Sequence, residues 1–178
     1  MSTPKSILYI AMTLDGYIAT EDNDLSFLEA YNDGPDDYGY YDFIEKVGTI
    51  IMGRKTYDII QGFDIEWPHK KEKCYVLSNS KSGKDENVEF YNGSLPDLIS
   101  SIKQENSGDI FIDGGAEVVK QFALSGLIDL YIISVLPVLL GSGIRLFKDG
   151  RPSQDLEHIK TESYENGLVQ VWYSNKSS

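Results

Sequence analysis

The stretch TIIMGRKTYDII, Thr49 to Ile60, decides the fold. Apolar, β-branched residues run as far as Met52, Gly53 interrupts them, and an apolar pattern resumes after Lys55 and Thr56. This reads as a buried strand, a tight junction and the first turns of a helix. A helix N-terminus exposes unpaired N–H groups and partial positive charge, so it readily accepts a phosphate. Arg54 and Lys55 are disfavoured in a first turn unless an anion neutralises them. Two readings stay open for these residues alone: an anion site, or a plain turn with two solvated cations.

Similar junctions recur further along. In DIFIDGGAEVVKQF a strand at Ile110–Ile112 runs into Gly114-Gly115, and a helix to Gly126 follows. Paired glycines allow close backbone approach and conformations closed to other residues. CYVLSNSKSGK ends a third strand in Ser78, Asn79, Ser80 and Lys81, which supply hydroxyl and amide donors plus a cation. In open sheets ligands bind beyond the carboxyl ends of parallel strands, so these junctions can share one extended ligand. The G-x-G-x-x-G fingerprint is missing.

Unalternated apolar runs also occur at Ile7–Met12 and Leu130–Leu136, as expected for strands covered on both faces. Helical spacing places Tyr40, Phe43, Ile44 and Val47 on one face, and Ser94 is a cap candidate for SLPDLISSIKQEN. Asn166-Gly167 between two strand-like runs predicts a two-residue type I′ hairpin. The pattern is an α/β sandwich with a mixed, mostly parallel sheet and a C-terminal antiparallel hairpin.

A chain of 178 residues is expected to form one domain, residues 1–178. One cysteine and two histidines exclude internal disulfides and Cys- or His-rich metal sites, and suit a reducing cytoplasm. The net charge is 16 − 28 = −12, which repels nucleic acid and anionic membranes. SILYIAM is read as a strand and not a signal core, and LYIISVLPVLL is too short for a membrane span. The expected partner is a small molecule.

Taken in order, these motifs resemble the dihydrofolate reductase-like superfamily, whose fold is a three-layer sandwich. IMGRKTYDII is similar to its adenosine-side phosphate segment, VLSNSK to its 2′-phosphate loop, and IDGGAEVVKQF to its pyrophosphate helix. LDGYIA and LPVLLGSGIRLF look more like the C-terminal reductase domain of bifunctional riboflavin-biosynthesis deaminase-reductases, here in a stand-alone form.

The resemblance implies an NADPH-dependent oxidoreductase, most like 5-amino-6-(5-phosphoribosylamino)uracil reductase, and implies a homodimer. It implies cofactor contacts from Ala11 and Ile18 at the nicotinamide, and from Gly53, Arg54, Lys55 and Thr56 at phosphate. Leu77, Ser78, Asn79, Ser80 and Lys81 would lie near the 2′-phosphate. Gly114, Gly115, Ala116, Glu117 and Val118 would line the pyrophosphate. Counting back from the MGR strand puts Asp37 at the catalytic acid, with Asp15 its rival. Each also reads as an ordinary local residue, Asp37 as a helix cap and Asp15 in an Asp-Gly turn.

Two alternatives follow. Folate reduction is disfavoured because only Arg54, Arg145 and Arg151 are available to hold a substrate carboxylate. A non-catalytic NADPH- or nucleotide-binding regulator would keep the cofactor cleft and lose the substrate site. The substrate-phosphate motifs of the riboflavin enzymes are not evident in GRKTYDIIQGFDIEW. Tyr38, Tyr40 and Tyr41 read either as partly buried core or as a stacking wall for a heterocycle.

Overall fold

A computed structural model describes residues 3–32, 34–63, 65–105 and 107–176. The chain opens with strands β1 (Ser6–Thr13) and β2 (Tyr17–Ala19), a 3₁₀ turn at Ser26–Leu28, and short helices α1 (Glu29–Asn32) and α2 (Tyr40–Ile44). Strand β3 (Val47–Gly53) leads into α3 (Arg54–Gly62), followed by β4 (Lys73–Leu77), β5 (Gly83–Lys84), β6 (Glu89–Tyr91) and α4 (Leu95–Glu105). Then come β7 (Asp109–Gly114), α5 (Ala116–Leu124), β8 (Leu130–Leu136), β9 (Ile144–Arg145), β10 (Leu156–Ser163) and β11 (Val169–Asn175).

Nine strands form one sheet in the order β10-β11-β8-β1-β7-β3-β4-β6-β5. The six from β8 to β6 are mutually parallel; β11 and β5 run antiparallel to them at either side, and β10 pairs antiparallel with β11. All six parallel strands therefore end on one edge of the sheet. Strands β2 and β9 pair separately.

The unalternated strands are covered on both faces. On one face Leu8, Ile51, Ile110 and Ile112 pack with Leu98, Ile102, Val119 and Phe122 from α4 and α5. On the other, Ile50, Met52, Val76 and Phe111 pack with Phe43 and Tyr57 from α2 and α3, and with Trp67. Each such aliphatic or aromatic side chain contributes roughly 1.5–3 kcal/mol by leaving water, so these two layers hold the strand ends in place. Ser94 caps α4, its Oγ accepting the N–H of Asp97 at 3.4 Å.

Two local expectations change. The helix over Tyr40–Val47 is shorter, because Gly39 enters it with φ of 80° and Val47 already belongs to β3. The hairpin turn is wider than type I′, which needs positive φ at both central residues. Only Gly167 has it (φ 85°), and the Gly167 N–H bonds Tyr164 O while the Tyr164 N–H bonds Leu168 O. Asn166 instead turns its side-chain oxygen to the Leu168 N–H.

Candidate active site

The parallel register builds the site. Gly53 pairs with Leu77, and Met52 pairs with Gly114, so the junctions after β3, β4 and β7 stand side by side. A Cβ on Gly53 would meet Val118 Cγ2 at 3.0 Å and Gly114 O at 3.6 Å, and one on Gly115 would meet Thr56 Oγ1 at 3.6 Å. Gly114 has φ of 103° and joins Gly115 through a cis peptide. Helices α3 and α5, nine residues each, begin at these glycines with no side-chain cap. The two helix starts therefore stand side by side, each with first-turn N–H groups of the kind that bind a phosphate. Ala116 and Val118 are buried and pack the helix down.

The cations gather on the same rim. Arg54 sends Nε to Asp58 Oδ1 at 2.7 Å, and its guanidinium lies 6.0 Å from the Phe90 ring centre. Lys81 Nζ stands 5.3 Å from the same ring. Ser78 is buried, its Oγ accepting the N–H groups of Ser80 and Lys81 at 3.3 and 3.0 Å, so it shapes the loop that carries Lys81. Leu77, Ser78 and Asn79 line a small cavity of about 100 Å³ with Tyr91 and Gln121. Lys148 bonds Glu117, and with Lys120 and Lys55 holds that carboxyl below its ordinary range.

A larger cavity of about 360 Å³ opens on the other side of β1. Ala11 is in its wall, whereas Ile18 sits in β2 and packs against the core. Tyr9 stacks on Phe43 with ring centres 4.8 Å apart, and Tyr40 lies edge-on to Tyr9 at 5.8 Å. Tyr40 packs on the core and also lines the cavity, while Tyr41 is exposed. Behind this wall Gln170, fully buried, donates to Tyr38 O at 3.1 Å and to Ser134 Oγ at 3.2 Å. The Tyr9 hydroxyl donates to Tyr38 O at 2.8 Å, and burial pushes its pKa up to about 12. Tyr9 therefore stays neutral.

Of the two carboxylates expected to act as acids, both accept backbone N–H bonds. Asp37 lines the cavity but caps α2, accepting from Tyr41 N at 3.0 Å and Gly39 N at 3.2 Å, which lowers its pKa. Asp15 accepts from Thr13 Oγ1 at 2.6 Å, Gly141 N at 2.8 Å and Leu140 N at 3.1 Å; the Thr13 bond leads in drawing it down to about 2. It ties the β1–β2 turn to the loop after β8. Groups ionised so readily do not hold a proton near neutral pH.

A third carboxyl, Asp113, is shifted the opposite way. Asp113 is the extra residue of a bulge in β7: Ile51 pairs with Ile112, but Met52 pairs with Gly114. Bulges commonly re-aim a side chain beside an active site. Asp113 adjoins Gly114, and its charge reaches Tyr40 in the cavity wall. Asp113 is half-buried, and loss of solvent around its carboxyl raises it to about 6. Its position before Gly114-Gly115 was the only available signal.

This arrangement has a dihydrofolate reductase-like fold. Dihydrofolate reductase from Enterococcus faecalis, solved with NADP(H), superposes with a TM-score of 0.70 at 16% identity, covering 98% of each chain. The chain belongs to the RibD C-terminal domain family, whose profile matches residues 4–170. It is 42% identical over 146 residues to the uncharacterized protein YwjB of Bacillus subtilis, covering 82% of this chain and 83% of YwjB. A putative riboflavin biosynthesis protein from Shewanella sp. PV-4 superposes with a TM-score of 0.89 at 32% identity, covering 97% of this chain and 99% of that one. The deaminase/5-amino-6-(5-phosphoribosylamino)uracil reductase of Thermotoga maritima gives 0.74 at 16% identity; 98% of this chain matches 57% of it. No helix among the described residues is long and apolar enough to cross a membrane.

Proposed function

We propose that this chain is an NADPH-dependent reductase of a small heterocyclic substrate, in the reaction class of the riboflavin-pathway reductases. The observation that carries the proposal is the register that sets Gly53 between Leu77 and Gly114, with two uncapped helices opening on one groove. Backbone N–H groups at Gly53–Thr56 and Gly115–Val118 hold the phosphates, and Arg54 and Lys81 take the 2′-phosphate across Phe90. When bound, the cofactor would supply a hydride, and Ala11, in the cavity wall, is among the residues proposed to meet its nicotinamide. The chain's own task is to orient a ring between the tyrosines, keep water from it and hold a proton. Asp113, in preference to Asp37 or Asp15, is the residue proposed to hold that proton, because a carboxyl near 6 is still partly protonated at neutral pH.

Folate reduction is the weaker reading. Neither Arg54, Arg145 nor Arg151 is among the cavity-lining residues, so nothing of planar-fork geometry awaits a glutamate carboxylate. A regulator that binds NADPH without turnover is separated by kinetics. The proposal also carries a cytoplasmic homodimer, which sedimentation tests. The direct experiment titrates NADPH and NADH by fluorescence and then follows NADPH oxidation with candidate heterocycles. Tight, NADPH-selective binding with turnover is expected; failure to bind either dinucleotide would remove the proposal.

A further inference from the structure

Two cations stand beside the ring of Phe90, Arg54 Cζ at 6.0 Å from its centre and Lys81 Nζ at 5.3 Å. They are held there differently. Arg54 belongs to the first turn of α3. Lys81 lies in the excursion between β4 and β6, where residues 79–86 are all exposed and β5 is only two residues long. Such a segment has no apolar anchor of its own, so polar ties must fix its position. Ser78 Oγ fixes its start. Asp85 fixes its return: Oδ1 accepts the N–H groups of Asn87 and Val88 at 2.9 and 2.8 Å, and Oδ2 accepts the Tyr57 hydroxyl at 2.5 Å. Tyr57 is buried in α3, and its ring meets Phe90 edge-on at 5.5 Å. Burial, and then the Asp85 carboxylate, push the Tyr57 hydroxyl up to about 12, so it donates as a neutral phenol. Arg54 and Tyr57 are i,i+3 neighbours on one helix face. That face carries the first cation directly and ties down the second through Asp85.

From this geometry we infer that Tyr57 and Asp85 are positioning residues for dinucleotide selection: their bond fixes where Lys81 stands relative to Arg54, and so sets how strongly a 2′-phosphate is preferred over a 2′-hydroxyl. The inference rests on the proposed assignment of Arg54 and Lys81 to the 2′-phosphate, and adds two residues that act on the phosphate only through Lys81. A cation already in place makes charge-assisted bonds to phosphate without a loop being ordered at the moment of binding. On an untethered loop the same cation loses part of that gain to conformational entropy. NADH presents no phosphate at this spot, so its affinity should not depend on the tie.

The test titrates NADPH and NADH by fluorescence into the full chain as wild type, Tyr57→Phe, Lys81→Ala and Tyr57→Phe/Lys81→Ala. Tyr57→Phe keeps the buried ring and should lower the preference for NADPH over NADH by about three- to tenfold, through NADPH alone. In the Lys81→Ala background the same change should move the preference by less than about twofold. Asp85→Asn removes a negative charge, which by charge alone would favour NADPH; a lowered preference is expected instead. An unchanged preference in Tyr57→Phe, an equal drop with Lys81 absent, or a raised preference in Asp85→Asn overturns the inference. Equal weakening of both dinucleotides assigns the bond to the fold alone and overturns it too. In each of those cases a wild type that selects NADPH leaves the reductase reading standing. A wild type that binds neither dinucleotide removes that reading, and the inference with it.

Discussion

Gly53 and Val118 meet where two strand-to-helix junctions converge: a Cβ added to Gly53 would stand 3.0 Å from Val118 Cγ2. Val118 is buried, so it can retreat only by disturbing α5. Gly53 is required for this approach and not for its φ, which is an ordinary −83°. Gly53→Ala should destabilise the fold by about 1–3 kcal/mol as overpacking and weaken NADPH binding by roughly tenfold. Gly53→Ala/Val118→Ala should recover much of the binding loss, because the second change vacates the space. Chemical denaturation and cofactor titration of the two variants check both parts. Binding that stays lost in the double variant would mean the two helix starts do not share a ligand.

Asp113 should govern the pH dependence of turnover. Its carboxyl is raised to about 6, so the protonated form, and with it the rate, should decline as pH rises through that value. Asp113→Asn should lower kcat by about 100-fold and abolish that limb of the profile, while NADPH affinity changes little. A full-rate variant with the limb intact would transfer the proton to another group.

The shared strand-end rim was legible in the sequence, and the bulge at Asp113 was not, for a definable reason. Apolar runs ending in Gly53, Leu77 and Gly114 reveal parallel strands and their shared edge, since runs without alternation need cover on both faces. A bulge depends on the register between β3 and β7, which are far apart in the chain, and local pattern carries no trace of it. The hairpin failed similarly: Asn166-Gly167 marks a turn, but whether two or three residues close it depends on how Leu168 pairs with Tyr164. Arg54 and Lys55 stand out in the sequence as cations in a first turn, and the i,i+4 spacing of Arg54 and Asp58 already implies the ion pair that partly answers Arg54.

Asp15 should be a structural latch with an acid signature. Its folded-state pKa, about 2, lies below the ordinary 3.8, so its contribution is present above about pH 4 and is lost as pH falls through 2. Asp15→Asn should lower Tm at neutral pH, and the gap to wild type should close between about pH 4 and 2. Thermal unfolding across that range checks this. A gap independent of pH would assign the loss to packing and not to the carboxylate.

The central claim, that the strand-end rim holds a phosphorylated dinucleotide, is tested most directly by titrating wild type and Arg54→Ala with NADPH and with NADH. Loss of charge-assisted hydrogen bonds should cost about 2–3 kcal/mol of NADPH binding, roughly 30- to 150-fold, with NADH binding nearly unchanged. Equal losses for the two dinucleotides, or no binding of NADPH to the wild-type chain, would contradict it.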